Sequence, residues 1–348
     1  MKISKTEQSR LTGLQLENIP FGSVFTDHML VADYADGEWG EPRIEPYGPL
    51  QTTPANAAWH YGQAIFEGIK AYPYGEDKVA IFRGIDNFRR FKISAHRLAM
   101  PAVPEEIFMD GMKTLIDTDR NWMPRFPEHA MYIRPFMVGW DNAIGVRPSN
   151  TYKFMIILSP SGPYFSAPMR IWVEKEYVRA VKGGVGFAKA AGNYALSMFP
   201  TAEARRRDFD QVLWTDATHH RYVQEIGVMN VFFVVGDEVW TPGLGDGTIL
   251  AGITRDSVIK LLKEKNIRVR EEEISIDELV AAYKENKLTE VFGAGTAATI
   301  SMIKQLSSDE FDFHFDLENA PVSNSILNEL NDMRYGRLAD THNWLNIF

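Results

Sequence analysis

The sequence predicts a mixed α/β fold divided into two domains. Three observations carry this reading. The 348 residues are about twice the roughly 150 of a typical domain. Strand-like and helix-like stretches alternate along the chain. A Gly, Pro and Ser cluster, SPSGPYFSAP at 159–168, interrupts that pattern near the middle. The expected division is a small N-terminal domain over 1–164, a linker over 165–178 and a large C-terminal domain over 179–348.

In the first half, GIDNFRRFKISAHRLAM carries apolar residues at 85, 88, 91, 95 and 98, the spacing of one helix face. MYIRPFM at 131–137 and YKFMIIL at 152–158 are rich in β-branched and aromatic residues and read as strands, with WDNAIGVRPSN as the loop between them. MRIWVEKE is the next strand after the cluster. Two apolar runs within 226–241 flank GDE, a hairpin whose turn uses Gly236. PGLGDGTILAGITRDSVIKLLKEK passes from a glycine-rich loop into a helix with apolar residues at 258, 259, 261 and 262. Ser275 and Glu278 have the spacing of a capping box and start a further helix. TEVFG is a strand leading into GAGTAATISMI, where Gly293 and Gly295 are expected to flank a tight turn ending in Thr296.

Composition narrows the function class. Hydrophobic residues at 45% and charged residues at 24% are those of an ordinary folded protein. Lys plus Arg number 37 against 46 Asp plus Glu, a net charge of −9, which gives no footprint for a polyanion, so nucleic acid is not an expected partner. MKISKTEQSR lacks the apolar core of a signal peptide and no apolar run reaches the length of a membrane span, so a cytoplasmic protein is expected. The chain has no cysteine, which excludes disulfides, thiolate metal sites and cysteine nucleophiles. His219 and His220 form a pair in TDATHHRY, without acidic or thiolate residues at metal-ligand spacing, and read as a surface turn.

Candidate chemistry centres on Lys189, in VKGGVGFAKAAGNYALSMF, with Tyr194 five residues on and Glu225 in YVQEIGVMNVFFV. A lysine, a phenol and a carboxylate are what pyridoxal phosphate requires. The amine holds its aldehyde as a Schiff base, the phenol donates to the ring oxygen, and the acid keeps the pyridine nitrogen protonated. Lys182 competes for the role but precedes two glycines and reads as loop. The small and apolar neighbours Phe187, Ala188, Ala190, Ala191 and Gly192 favour Lys189, because burial supplies a neutral amine.

Several residues could meet anions. Gly252, Ile253 and Thr254 lie where a loop enters a helix, and free amides there attract phosphate; Thr296 could reach the same anion. Each signal is weak alone, since glycine-rich turns are usually only turns. Arg90 and Arg97 lie off the apolar stripe of their helix, which suits either a solvated basic edge or, for Arg90, a phosphate clamp. Tyr132 and Arg134, two apart on a strand, share a face. A buried arginine there implies either an internal salt bridge or recognition of a substrate carboxylate. Phe21, Tyr61, Phe66 and Tyr164 read first as core or interface packing.

The segments KAAGNYALS, VQEIGVMNVF, ILAGITRDSV and VFGAGTAA, with HYGQAIFEGIKAY near residue 60, resemble the branched-chain amino acid aminotransferases. These belong to fold type IV of the pyridoxal phosphate enzymes, whose active site lies between two domains and at a dimer interface. The resemblance runs from about Phe21 to the C-terminus through five ordered motifs. It implies that Lys189 is the Schiff-base lysine, that Tyr194 donates to the ring oxygen and that Glu225 pairs with the pyridine nitrogen. Phosphate ligands would be Arg90, the amides of Ile253 and Thr254, and Thr296. An apolar substrate pocket would be lined by Phe21, Tyr61, Phe66, Tyr132 and Tyr164, with Ile144 and Val146 reaching in from a second subunit of a homodimer. The α-carboxylate would rest near the amides of Ala297 and Ala298, and Arg134 would hold the distal carboxylate of glutamate.

The implied reaction moves the amino group of L-leucine, L-isoleucine or L-valine to 2-oxoglutarate, giving L-glutamate. Three positions depart from the usual pattern. Val228 stands where eukaryotic relatives have Thr, Ala298 and Ser301 stand where they often have a CxxC pair, and Ala191 replaces a glycine. A D-amino acid aminotransferase or an aminodeoxychorismate-lyase-like enzyme of the same fold is the nearest rival, and a non-catalytic pyridoxal phosphate carrier is the rival from another class.

Overall fold

The structure, a computed structural model, describes residues 1–162 and 167–348. Two compact units emerge. One is Met1–Tyr164 with Ala188–Gly192 and Asn331–Phe348; the other is Phe165–Phe187 with Asn193–Leu330. Each has its own sheet.

Among the described residues of the first unit, ten strands make one sheet. Its main path runs Lys2–Ile3, Arg43–Pro46, His28–Ala35, Tyr152–Ser161, Ala130–Gly139, Ile69–Tyr74, Lys78–Phe82 and Leu345–Ile347, with Ala64–Phe66 added to the Ala130–Gly139 strand and Glu38–Trp39 to His28–Ala35. Strand period divides the residues between two faces. Ile65, Ile69, Ala71, Met131, Ile133, Phe154, Ile156 and Leu158 enter the core, where Phe91 of helix Gly84–Arg97 packs with Phe108 and Phe154. The alternate set, Phe66, Lys70, Tyr132, Arg134 and Phe136, therefore occupies the opposite face, where Phe136 joins a smaller cluster with Met29, Val31 and Met155. The strands expected at 131–137 and 152–158 are present and longer, Ala130–Gly139 and Tyr152–Ser161 in antiparallel register.

Two segments from the sequence expected to form one C-terminal domain belong to this first unit. Ala188–Gly192 is bound to it by a bridge between Ile65 and Ala190, by the Phe66 amide donating to the Lys189 carbonyl at 3.1 Å, and by the Lys189 amide donating to Ser94 Oγ at 2.9 Å. Asn331–Phe348 adds an edge strand, Leu345–Ile347, to Lys78–Phe82 and places the fully buried Arg334 over Phe82 at 4.2 Å. Such returns are made by pairing between distant segments, and no local periodicity announces them.

The second unit holds a nine-stranded mixed sheet among the described residues, ordered Val223–Ile226, Gln211–Thr215, Met169–Val173, Thr299–Ser307, Leu288–Gly295, Asn230–Val235, Glu238–Pro242 and Arg268–Glu272, with Asp312–His314 beside Thr299–Ser307. The strand Asn230–Val235 is buried on both faces: Val231, Phe233 and Val235 enter the core while Phe232 stacks on Phe292 at 5.1 Å. Its hairpin with Glu238–Pro242 forms as expected, with Gly236 at φ 62° in the turn. Helix Ile253–Glu264 buries Val258, Ile259, Leu261 and Leu262. Around 293–296 the chain differs from expectation. Gly293 and Gly295 lie within the strand, paired with Ser301 and Thr299, and the turn is Thr296–Ala298. Packing there is close: a Cβ on Gly293 would lie 2.8 Å from Met229 Cε.

Local chemistry stabilises the connections. Helix Ile276–Lys284 has the expected capping box: Ser275 Oγ accepts from the Glu278 amide, and Glu278 accepts from the Ser275 amide at 2.8 Å. The turn holding His219 and His220 is built on Asp216, whose carboxylate accepts from the amides of Thr218, His219, Arg221 and Tyr222 at 2.8–3.0 Å before the chain enters Val223–Ile226. Burial pushes the Asp216 carboxyl up, but these four donors outweigh it and bring it from 3.8 down to about 2.

Both contacts can be tested by substitution. Ser275→Ala removes a cap and should lower stability by about 1 kcal/mol, read as a shift in urea midpoint with unchanged slope. Asp216 has a folded value below its unfolded one, so its contribution is complete above pH 3.8 and is lost as pH falls through about 2. Asp216→Asn should therefore flatten the fall in melting temperature across that window, and a profile parallel to wild type would refute the assignment.

Candidate active site

In the first unit, helix Gly84–Arg97 presents a buried polar stripe, Asn87, Arg90 and Ser94, at helical spacing. Ser94 Oγ receives the Lys189 amide. Arg90 is not on a solvated edge: Nε and Nη2 each donate to the Glu67 carboxylate at 2.8 Å, and Asn87 Nδ2 donates to the same carboxylate at 2.8 Å. Glu67 is fully buried, and burial raises its carboxyl; the charges of Arg90 and Lys189 with the Arg90 and Asn87 hydrogen bonds hold it below the ordinary glutamate value. Glu67, Asn87 and Ser94 escaped the sequence reading. The signal available was their spacing around Arg90 and the position of Glu67 within HYGQAIFEGIKAY.

The Lys189 ammonium nitrogen lies 4.8 Å from the centroid of the Phe66 ring. Arg134 stands over the same ring at 4.5 Å and over Tyr132 at 5.3 Å, and its Nη2 donates to the Tyr132 hydroxyl at 2.8 Å. Phe21 meets Tyr132 edge-on at 4.7 Å. Phe21, Phe66, Tyr132, Arg134 and Lys189 thus form one cluster. Among the described residues no carboxylate forms an ion pair with Arg134, and its buried Nε has no hydrogen-bond partner. Of the two readings of this arginine, the internal salt bridge is absent among those residues and an anion from outside the chain fits. Lys70 lies on this face opposite Tyr132, and burial together with the Arg334 charge pushes its ammonium down to about 7.

Tyr61, Ile144 and Val146, also expected at the pocket, are exposed. Tyr61 ends the short helix Ala57–Tyr61, is 39% exposed and has His60 as its ring neighbour. Ile144 and Val146, at 71% and 89% exposed, project from the loop between the two long strands. Tyr164 lies outside the described residues. Lys182 is exposed, in keeping with a loop position.

The second unit gathers a different set. Glu225 Oε1 accepts from the Leu250 amide at 2.7 Å and pairs with Arg179 at 3.3 Å. Arg179, also missed from the sequence, donates to the Thr248 carbonyl as well. Asn230 Nδ2 donates to the Leu250 carbonyl at 2.9 Å, so both sides of Leu250 are fixed. Gly252 is the N-cap of helix Ile253–Glu264 and contributes no capping side chain; a Cβ there would lie 1.9 Å from Asn230 Oδ1. Ile253 and Thr254 open that helix, both buried. Thr296, Ala297 and Ala298 form the half-buried turn after Leu288–Gly295, whose Ala294 is in register with Asn230. Met229 packs under Gly293 and Gly295. Glu225, the helix N-terminus and this turn are therefore tied together through Met229 and Asn230. Tyr194 lies in the first turns of helix Ala191–Arg206, with its carbonyl accepting from Ser197 Oγ. Val228 is 45% exposed in the turn after Glu225.

Each unit holds donors of its own that suit an anionic aldehyde cofactor. The first has an amine at Lys189 and a guanidinium at Arg134, and the second has an acid at Glu225 and a helix that starts at Gly252. Among the described residues no helix is long and apolar enough to cross a membrane.

The family described as amino-transferase class IV matches residues 64–306. The chain is 43% identical over 333 residues to branched-chain-amino-acid transaminase 1 of Bacillus subtilis (strain 168), covering 94% of this chain and 93% of that protein. The fold resembles the branched-chain aminotransferase of Thermoproteus uzoniensis solved with norvaline, at TM-score 0.76 and 27% identity over 92% of this chain and 99% of that one. It also resembles the T.th. branched-chain amino acid aminotransferase complexed with N-(5'-phosphopyridoxyl)-L-glutamate, at TM-score 0.73 and 27% identity over 90% and 97% of the two chains. The chain belongs to the class IV amino-transferase family.

Proposed function

We propose that the chain is a pyridoxal-phosphate-dependent transaminase that moves the amino group of L-leucine, L-isoleucine or L-valine to 2-oxoglutarate, releasing a branched 2-oxo acid and L-glutamate, reversibly. The observation that carries it is the single aromatic wall of Phe66, with the Lys189 amine and the Arg134 guanidinium both set against it. Nucleophile, apolar surface and carboxylate anchor are thereby grouped. The names of the relatives, and the phosphopyridoxyl-glutamate and norvaline bound in two structural neighbours, support the cofactor and the substrate class.

Lys189, Tyr194 and Glu225 would hold the ring and carbonyl end of pyridoxal phosphate, and Arg90, Ile253, Thr254 and Thr296 its phosphate. When bound, the cofactor supplies an electron-withdrawing ring that stabilises negative charge at the amino acid α-carbon. Lys189 Nζ would take the α-proton as base and, as acid, hand it to the cofactor carbon that keeps the amino group. Glu225, fixed by Leu250 and Arg179, would keep a proton on the pyridine nitrogen. The amides of Ala297 and Ala298 orient the α-carboxylate. Phe21, Phe66, Tyr132 and, from the resemblance, Tyr61 and Tyr164 exclude water around a branched side chain, while Arg134 meets the second carboxylate of glutamate or 2-oxoglutarate. A cytoplasmic homodimer, with Ile144 and Val146 completing a partner's pocket, belongs to the same proposal; their exposed apolar side chains support it.

Lys189→Ala should abolish both a visible cofactor band and turnover of L-leucine with 2-oxoglutarate. Activity of the wild type on D-alanine but not on L-leucine would sink the substrate assignment. Arg134→Met should raise KM for 2-oxoglutarate by roughly tenfold or more, the loss of a charge-assisted bond, and raise that for L-leucine far less; steady-state kinetics with each substrate varied in turn measures the difference.

A further inference from the structure

Resting on the cofactor reading above, we infer that Glu67 is a positioning residue that fixes the Arg90 guanidinium for the cofactor phosphate. The bidentate pair uses Nε and one edge of Nη2. The two bonds thereby set the guanidinium in one fixed plane. The Glu67 carboxylate is itself held: it accepts two bonds from Arg90, one from Asn87 Nδ2 at 2.8 Å and one from the Gly68 amide at 3.2 Å. Asn87 also donates to the Gly68 carbonyl at 3.2 Å, so the clamp is tied to the backbone between two strands. Glu67 is 0% and Arg90 8% exposed, so neither side chain has room to choose another rotamer.

Electrostatics alone would not select this arrangement. A carboxylate against Arg90 cancels most of the attraction that the guanidinium exerts on a phosphate at longer range. Were Arg90 only a point charge for the anion, phosphate would bind more tightly without Glu67. Its presence gains orientation instead: an arginine fixed before the phosphate arrives loses little side-chain entropy on binding it. The two accounts predict opposite signs for the removal of the Glu67 charge.

The test uses the full-length protein cleared of cofactor and titrated with pyridoxal phosphate or with pyridoxal, which lacks the phosphate, following the visible absorption band. Glu67→Gln should weaken pyridoxal phosphate by about tenfold or more, the scale of a lost charge-assisted bond, and leave pyridoxal affinity unchanged. Arg90→Lys should lose the same discrimination, and the double variant should lose no more, as expected for residues acting as one unit. Unchanged or tighter pyridoxal phosphate binding in Glu67→Gln would overturn the inference in favour of a point charge. Equal weakening of both compounds would overturn it in favour of a purely structural part or an action through Lys189. Should Glu67→Gln not fold, Asn87→Ala keeps both charges and removes one support of the carboxylate; it should weaken pyridoxal phosphate selectively, and equal weakening of both again overturns the idea. A wild type that shows no band with either compound refutes the cofactor reading, and this inference with it.

Discussion

A buried charge must be paired, and in the first unit that constraint organises everything near Lys189. The pair is Glu67 with Arg90, both enclosed in protein and joined by two bonds of 2.8 Å. Breaking a buried pair leaves an uncompensated charge, a cost of about 3–5 kcal/mol. The helix Gly84–Arg97 therefore cannot rotate or slide relative to the residue after strand Ala64–Phe66. Ser94, one turn beyond Arg90 on the same stripe, then receives the Lys189 amide, and Phe66 donates to the Lys189 carbonyl. The lysine backbone is thus held from both sides by elements that the ion pair has already locked.

In the second unit a different residue has the corresponding role. Leu250 acts through its backbone: its amide meets Glu225 and its carbonyl meets Asn230. Two polar side chains from one end of the sheet thereby fix the loop that enters helix Ile253–Glu264. Gly252 follows, where any Cβ would collide with Asn230. The close approach of the loop to the sheet and the placement of the helix N-terminus are one requirement, met by one glycine.

Much of this was legible in the sequence, for reasons that differ from residue to residue. Period two along MYIRPFM placed Tyr132 and Arg134 on one face, because pleating allows nothing else. The capping box at Ser275 and the hairpin at Gly236 are local rules, and both appear. Lys189 stood out through the chemistry of its companions rather than through any pattern. What escaped was tertiary. Arg90 lay off an apolar stripe, and the stripe alone could not distinguish water from Glu67 as the thing beside it. Arg179 looked like any lysine or arginine of a loop until Glu225 and Thr248 were placed around it. The return of Ala188–Gly192 to the first sheet rests on a bridge to Ile65 and on hydrogen bonds with Phe66 and Ser94, which no composition can foretell.

Arg134 shows how one site can receive both an apolar and a doubly charged substrate on the proposed reading. The guanidinium carbon lies 4.5 Å from the centroid of Phe66 and 5.3 Å from that of Tyr132, so aromatic carbon surrounds the cation while its N–H groups remain donors. A leucine side chain then meets ring surface that the cation shares without blocking. A carboxylate arriving instead meets the edge, where Nε has no partner among the described residues. The cation also does not have to be neutralised by a carboxylate of the chain, because two aromatic rings and the Tyr132 hydroxyl offset part of the cost of holding it half-buried. An internal acid would have made the protein more secure and the pocket useless for 2-oxoglutarate, since the incoming anion would have had to displace a bond already made. No such acid stands beside Arg134 among the described residues, in a unit that does pair Arg90 with Glu67, and this divides the work of the two arginines. One is held for orientation, and the other is left with an edge to give.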